Sequence, residues 1–241
     1  MLFEYADWRV DCEAGTIAGS QLTQEGHPMK IALIGPTGFV GSEVLKELLS
    51  RGHQVTALAR TPSKLTAQQG LTVVQADVLD AAQVARAVEG QDAVVDAYNP
   101  GWSEPRIHDV FLQGTKAIFE GVKRAGVKRL LVVGGAGSLF AAPGVQVVDT
   151  PHFPAEYKQG ALAAREALNL IRLETSLDWT FVSPAAFLVP GPRTGKFRLG
   201  ADDLLMDGDK PASLSVADLA VAIVDEIETP KHIRQRFTAA Y

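Results

Sequence analysis

Three glycines spaced three apart are the first residues of this chain whose type and spacing predict chemistry. Gly35, Gly38 and Gly41 form the pattern G-x-x-G-x-x-G between an apolar run and a helical pattern. In a dinucleotide fold, such a turn points the free N–H groups and positive dipole end of a helix at a pyrophosphate. Gly35 permits the tight turn, Gly38 lets phosphates approach the backbone, and Gly41 lets the helix pack closely on the sheet.

The residues around these glycines support the same interpretation. A strand is predicted before the turn, a helix follows it, and a second strand comes at the expected distance. Thr37 offers a hydroxyl donor, and Phe39 and Val40 complete the predicted phosphate-binding turn. The spacing departs from the usual G-x-G-x-x-G, so a turn without a ligand is the alternative.

Arg60 stands at the end of the second predicted strand, the position that selects the cofactor. An acid there binds the adenosine ribose hydroxyls and selects NAD, whereas an arginine accommodates a 2′-phosphate. Thr61, Ser63 and Lys64 offer further phosphate contacts. We therefore expect NADP(H) to be preferred over NAD(H), with a solvated arginine at a strand end as the alternative.

Two further segments follow predicted strands at the carboxyl edge, where ligands bind in open α/β sheets. Asp77 and Val78 come after the third strand, where a short side chain reaches the adenine amino group. Ala97, Tyr98 and Asn99 follow the fourth strand and are expected beneath the nicotinamide ribose. Both segments are equally compatible with ordinary turn chemistry.

Alternating apolar strands and helical patterns, starting at Met29, position these residues. Strands are predicted at 30–34, 54–59, 71–75, 92–97, 128–133, 179–182 and 237–241, and helices at 80–88, from Pro105 to before Gly126, and at 156–175. A further helix begins at the capping box Ser215-x-x-Asp218. Near-continuous apolar strands joined by helices predict an α/β fold, a single domain with a doubly wound parallel sheet.

The composition limits the classes of function. The chain has 241 residues, 46% of them hydrophobic, a net charge of -5 and one cysteine, Cys12. The charge argues against a nucleic-acid partner, and no apolar run approaches the roughly 18 residues of a membrane span. The acids show no metal-ligand spacing. We expect a cytoplasmic protein, a monomer or homodimer, acting on a small molecule, with no membrane partner and no metal.

Residues 1–28 differ in composition from the rest of the chain. They contain five acids and a single basic residue, Arg9, and show no sustained hydrophobic period. We interpret them as an N-terminal extension or leader outside the fold, with a structural arm packed on the core as the alternative. Residues 29–241 are then the dinucleotide-binding domain, with small substrate loops in its C-terminal part.

The chain from Met29 to Tyr241 resembles the atypical short-chain dehydrogenase/reductases, particularly their NADH-flavin reductase branch. The resemblance rests on GPTGFVGSEVLKELLSRGHQVTALAR, LLVVGGAGSL, LDWTFVSPAAFLVPGPRTGKFRLG and HIRQRFTAAY. It implies a Rossmann fold with strand order 3-2-1-4-5-6-7, a nicotinamide cofactor, and hydride transfer to a flavin or another planar acceptor. The alternatives are a non-catalytic nicotinamide-binding sensor and, third, a nucleotide-sugar epimerase or dehydratase.

The sequence departs from the catalytic pattern of that superfamily. Standard members use a serine with Tyr-x-x-x-Lys. Tyr157 is present, but Ala161 stands four residues later, and Gly134-Gly135 occupies the usual serine place. The alcohol–ketone mechanism is therefore doubtful, and Ser138 and Tyr157 stay as candidate hydrogen-bond donors to a reduced ring.

Transfer to a planar acceptor requires mainly stacking and positioning. Candidate aromatic walls of the substrate site are Tyr98, Trp102, Phe140, Phe153, Tyr157 and Phe187, with core or lid packing as the alternative for each. Arg193 lies on the loop after the sixth predicted strand, where it either meets a flavin phosphate or is solvated. His152 is a candidate proton donor, although a surface histidine is the more ordinary interpretation.

Overall fold

The computed structural model describes residues 27–241, so the prediction for residues 1–28 lies almost entirely outside the described residues. The main sheet contains β1 (Lys30–Ile34), β2 (Gln54–Ala59), β3 (Leu71–Gln75), β4 (Ala93–Asp96), β5 (Arg129–Val133), β6 (Asp178–Ser183), β7 (Arg198–Gly200) and β8 (Gln235–Ala240). The helices are α1 (Phe39–Ser50), α2 (Ala81–Val88), α3 (Ile107–Arg124), α4 (Ala155–Arg172) and α5 (Val216–Glu228).

The strand order across the sheet is β7-β8-β6-β5-β4-β1-β2-β3. Strands β1 to β6 and β8 are parallel, which confirms the predicted doubly wound sheet. The predicted order 3-2-1-4-5-6-7 is also confirmed, with β8 as the predicted seventh strand. Strand β7 was not predicted, because it has only three residues and pairs antiparallel with β8 at the edge. Since β1 and β4 are central neighbours, the segments that follow them meet at the carboxyl edge.

Helices cover both faces of the sheet. Alternate residues of β1 point to opposite faces, with Leu33 in the apolar layer that includes α1 and α5, and Ile34 in the layer that includes α2, α3 and α4. Burial on both faces explains why the strands are almost continuously apolar rather than alternating. Among residues 27–241, no helix has the length and hydropathy needed to cross a membrane.

The predicted capping box at α5 is only half present. The Ser215 side chain accepts a hydrogen bond from the Asp218 N–H at 3.0 Å, as such a box requires. The Asp218 carboxylate does not return to the Ser215 N–H, which instead donates to the Tyr241 hydroxyl at 3.3 Å. The prediction of a reciprocal pair was therefore wrong, because the chain terminus supplies the acceptor.

Asp218 instead holds the loop that follows β6. This carboxylate is fully buried and accepts hydrogen bonds from the Thr194 N–H (2.7 Å), the Thr194 hydroxyl (2.6 Å), the Gly195 N–H (2.8 Å) and the Tyr241 hydroxyl (2.7 Å). Burial raises the pKa of Asp218, but these hydrogen bonds lower it by more, and it stays below its ordinary value. The loop is thus fixed against α5 by one charged group.

We expect Asp218→Ala to lower the free energy of unfolding by about 3 kcal/mol or more, because four donors lose a charged acceptor. Urea denaturation at neutral pH measures this change. Asp225→Ala is the matched control, since that carboxylate lies on the same helix but is 55% exposed. The loss of unfolding free energy caused by Asp218→Ala should shrink as the pH falls through the lowered pKa of Asp218. Equal midpoints for the two variants would contradict this assignment.

Candidate functional site

The turn between β1 and α1 has no room for side chains at two of its three glycines. Gly35 has φ +75°, in the left-handed region that favours glycine. A Cβ on Gly35 would lie 2.5 Å from the Ala97 carbonyl oxygen, and one on Gly41 would lie 2.0 Å from the Gly35 carbonyl oxygen. At Gly38 the corresponding distance to the Gly35 oxygen is 3.4 Å. Two positions therefore require glycine for close packing. Gly38 is exposed at the carboxyl edge, where the segments after β1 and β4 meet; we call this place the crevice.

The N-terminus of α1 is open to an anion. Gly38 is its N-cap, no side chain caps the helix, and no acid stands in its first turn. The N–H groups of Phe39, Val40 and Gly41 consequently have no intrahelical acceptor, and they lie at the positive end of the helix dipole. Phe39 is 51% exposed and Thr37 is also exposed, so the surface above these amides is accessible. These groups fit a pyrophosphate.

The ends of β2 and β3 bring charged groups to the same edge. Arg60 is exposed and forms no ion pair with any of the described residues. Lys64 is exposed in the short turn Pro62–Lys64. Asp77 is exposed and its Oδ1 accepts the Leu79 N–H at 3.0 Å, whereas Val78 is buried in the apolar layer next to α2.

The loop after β4 follows the strand on the other side of β1 from β2 and β3. The Tyr98 ring packs on Gly114, and its hydroxyl donates to the Val110 carbonyl at 3.3 Å. Burial raises the pKa of Tyr98 to about 12; Arg60 opposes the rise, while Asp96, Asp77 and Glu104 add to it. Because β1 to β4 are parallel neighbours, the residues that follow β2, β3 and β4 lie at one edge of the sheet. Asn99 Oδ1 accepts the Gly101 N–H at 2.8 Å and shapes the loop.

An exposed aromatic pair stands where this loop meets α4. The Trp102 and Tyr157 rings lie edge to face with centroids 5.0 Å apart, and they are 57% and 44% exposed. A Cβ on Gly160 would lie 2.6 Å from the Trp102 ring, so the indole sits directly on the helix. Phe187 is 55% exposed shortly after β6, and Phe153 is half-buried before α4. His152 is exposed in the same loop.

Ser138 occupies a buried polar cluster. It is 2% exposed, and its hydroxyl and carbonyl oxygens accept hydrogen bonds from Arg236 Nη1 at 3.0 and 2.9 Å. Arg236 also pairs with Asp202. Of the two glycines at the usual serine place, only Gly134 is blocked, because a Cβ there would lie 2.0 Å from the Phe181 ring. Of the two predicted donors, only Tyr157 has an exposed side chain.

Arg193 lies away from the open N-terminus of α1. Arg193 makes two hydrogen bonds, of 2.7 and 2.8 Å, with the buried Glu47. Glu47 lies eight residues along α1 from Phe39, or about 12 Å from the open helix end at 1.5 Å per residue. Burial raises the pKa of Glu47, but Arg193 and Arg51 lower it by more. Phe140 lies on the short strand Phe140–Ala142, where its N–H donates to the Asp202 carbonyl.

Over the described part of the chain, no group of three or more His, Cys, Asp or Glu side chains is placed to hold a metal ion. Sequence reasoning missed the buried Asp96, which follows three apolar residues in β4, because burial of a single carboxylate depends on packing across the sheet.

The pattern of the NAD(P)H-binding family matches residues 35–228. This range contains the glycine turn, Arg60, the loop after β4 and most of α5. The chain belongs to this family of NAD(P)H-binding Rossmann proteins, whose members include oxidoreductases.

Solved structures share the whole fold. A putative exported protein from Burkholderia pseudomallei is 47% identical, with a TM-score of 0.79 over 88% of this chain and 100% of that one. A putative epimerase from Bacteroides thetaiotaomicron is 45% identical, with a TM-score of 0.83 over 89% and 97% of the two chains. A putative NADH-flavin reductase from Streptococcus pneumoniae is 32% identical, with a TM-score of 0.76 over 88% and 99%.

We expect Gly41→Ala to abolish measurable nicotinamide-cofactor binding, because the added Cβ would push α1 away from the Gly35 carbonyl. Titration calorimetry with NADPH measures binding, and circular dichroism checks the fold. Gly135→Ala is the control, since its Cβ would lie an ordinary 3.6 Å from the Ala164 Cβ. If folded Gly41→Ala binds NADPH with unchanged affinity, the glycine turn does not form the cofactor site.

Proposed function

We propose that this protein is an NADPH-dependent oxidoreductase that passes a hydride to a flavin or a similar planar acceptor. The observation that carries the proposal is the exposed Trp102–Tyr157 pair at the edge that also holds the open N-terminus of α1. Exposed aromatic faces suit a flat ligand, because stacking stabilises planar rings without directional polar groups. The similarity to the Streptococcus pneumoniae protein supports this choice of acceptor.

The residues that would hold the cofactor follow from the geometry of the edge. The N–H groups of Phe39, Val40 and Gly41 would bind the pyrophosphate, and Arg60 would bind a 2′-phosphate with help from Lys64. Ala97 would lie beside the nicotinamide ribose. When bound, the nicotinamide supplies the hydride.

The protein's own contribution is positioning. Trp102 and Phe187 offer apolar surface on which an acceptor ring can be held, and orientation alone provides a large part of the rate enhancement in such transfers. The Tyr157 hydroxyl, next to Trp102, would donate a hydrogen bond to the reduced ring. Because Ala161 replaces the lysine that would activate this tyrosine, alcohol–ketone chemistry is not proposed.

A non-catalytic sensor of the cofactor is the second candidate. It is favoured by the engagement of Ser138 with Arg236 and by the missing lysine, which leave no acid–base dyad. An epimerase, the name carried by the Bacteroides thetaiotaomicron relative, would need that same dyad. The oxidoreductase and the sensor both require the nicotinamide cofactor, so turnover of an acceptor distinguishes them.

The deciding experiment measures NADPH oxidation with FMN, FAD, riboflavin and quinones. We expect turnover with at least one flavin, and we expect Trp102→Ala to raise the acceptor KM several-fold while NADPH affinity stays unchanged. Leu173→Ala is the control, because this apolar side chain is 79% exposed but lies past the C-terminal end of α4, the end opposite to Tyr157. Tight NADPH binding without turnover of any acceptor would establish the sensor instead.

A second test addresses cofactor choice. We expect Arg60→Glu to weaken NADPH binding by roughly ten- to a hundredfold, because a charged hydrogen bond worth about 1.5–3 kcal/mol is lost. NADH binding should change much less. Arg124→Glu, at the far end of α3 and 55% exposed, is the control for the change in net charge. A tenfold preference of the unmodified protein for NADH would overturn the NADP(H) assignment.

A further inference from the structure

Asp96 is a buried carboxyl group that the proposed function does not use. It is the last residue of β4 and is only 4% exposed. Its Oδ1 accepts the Tyr98 N–H at 2.9 Å, and this is the only hydrogen bond of the carboxyl group to the described residues. A buried charge normally has an ionic partner or several donors. Asp96 has neither, so its surroundings favour the uncharged form more than water does.

Its place in the sheet puts Asp96 directly below the candidate cofactor crevice. It pairs in register with Ile34 of β1 and Val132 of β5, and Gly35 follows the first of these. Ala97, the next residue, has its carbonyl against Gly35. The hydrogen bond from Tyr98 shapes the turn that presents Ala97 to that glycine. The carboxyl group therefore supports one wall of the site.

The charged groups around Asp96 do not compensate an ionised carboxylate. Ile34 and Val132, its neighbours on the two adjoining strands, are apolar. Arg60, Asp77 and Glu104 act with Asp96 on Tyr98, and none forms an ion pair with it in the described chain. Burial raises the pKa of Asp96 to about 7, partly offset by the Tyr98 hydrogen bond. The group therefore exchanges its proton near neutral pH.

We propose that Asp96 is a further cofactor-site residue, which supports dinucleotide binding in its neutral form and opposes it when ionised. The proposal rests on the nicotinamide cofactor of the proposed function, not on the acceptor. A negative charge close to an anionic pyrophosphate repels it, and it offsets part of the attraction that the positive end of α1 exerts on the pyrophosphate. Binding of the cofactor therefore takes up a proton wherever Asp96 is ionised in the free protein.

The direction of the pH effect follows from this linkage. Affinity is at its full value below the pKa of Asp96 in the free protein, and it falls as the pH rises through that value. Well above it, the Kd rises by about tenfold per pH unit if only the neutral form binds. Asp96→Asn keeps the acceptor for the Tyr98 N–H and cannot ionise, so its affinity for the dinucleotide should not change with pH.

Titration calorimetry with NADH tests the proposal, because NADH lacks the 2′-phosphate that titrates on its own near pH 6. Measurements at pH 7.5 in two buffers of different ionisation enthalpy give the number of protons taken up. We expect clear uptake by the unmodified protein and none by Asp96→Asn. The Kd of the unmodified protein should rise by close to tenfold between pH 6.5 and pH 8, while that of Asp96→Asn stays flat.

Two controls make the outcome decisive. Asp207→Asn, an exposed carboxylate in the turn 206–211, should behave like the unmodified protein. Asp96→Ser, which also keeps an acceptor for Tyr98, should repeat the asparagine result, and thermal unfolding checks that both Asp96 variants are folded. Equal proton uptake by the unmodified protein and Asp96→Asn, or pH-independent binding by both, overturns the role of Asp96 alone. Failure to bind NADH and NADPH at any pH overturns the cofactor of the proposed function as well.

Discussion

Three stretches of backbone meet at the centre of the carboxyl edge, and their separation leaves no space for a β-carbon. Gly41 packs on the Gly35 carbonyl, and Gly35 packs on the Ala97 carbonyl. This contact exists because β1 lies between β2 and β4, which brings the segments after β1 and β4 together. It opens the N-terminus of α1 toward the surface and sets the floor of the crevice, so the candidate chemistry depends on it.

The two faces of the sheet contribute differently around that contact. On the α1 and α5 side, charged groups fix the loop after β6, with Asp218 holding Thr194 and Glu47 holding Arg193. On the α3 and α4 side, the aromatic rings of Trp102 and Tyr157 are left exposed. One face therefore provides rigidity, and the other provides surface for a ligand. This arrangement suits an enzyme that works mainly by positioning, as we propose here.

Local sequence was sufficient for the fold and for the glycine turn. The strands were visible because burial on both faces makes them continuously apolar, and the turn was visible because its glycines are close in sequence. The surroundings of Ser138 and Arg193 were not predictable, because their partners Arg236 and Glu47 lie 98 and 146 residues away. The burial of Asp96 was not predictable for the same reason, because the strands on either side of it are distant in sequence. The short strand β7 has too few residues for a pattern to be recognised.

We propose that the glycine turn and Arg60 form one site for an NADP(H) molecule. A crystal structure of the protein soaked with NADP+ tests this most directly. We expect the pyrophosphate on the N–H groups of Phe39, Val40 and Gly41, the 2′-phosphate against the Arg60 guanidinium, and the nicotinamide directed toward Trp102. A dinucleotide bound elsewhere on the protein, or a 2′-phosphate that leaves Arg60 uncontacted in solvent, would contradict it.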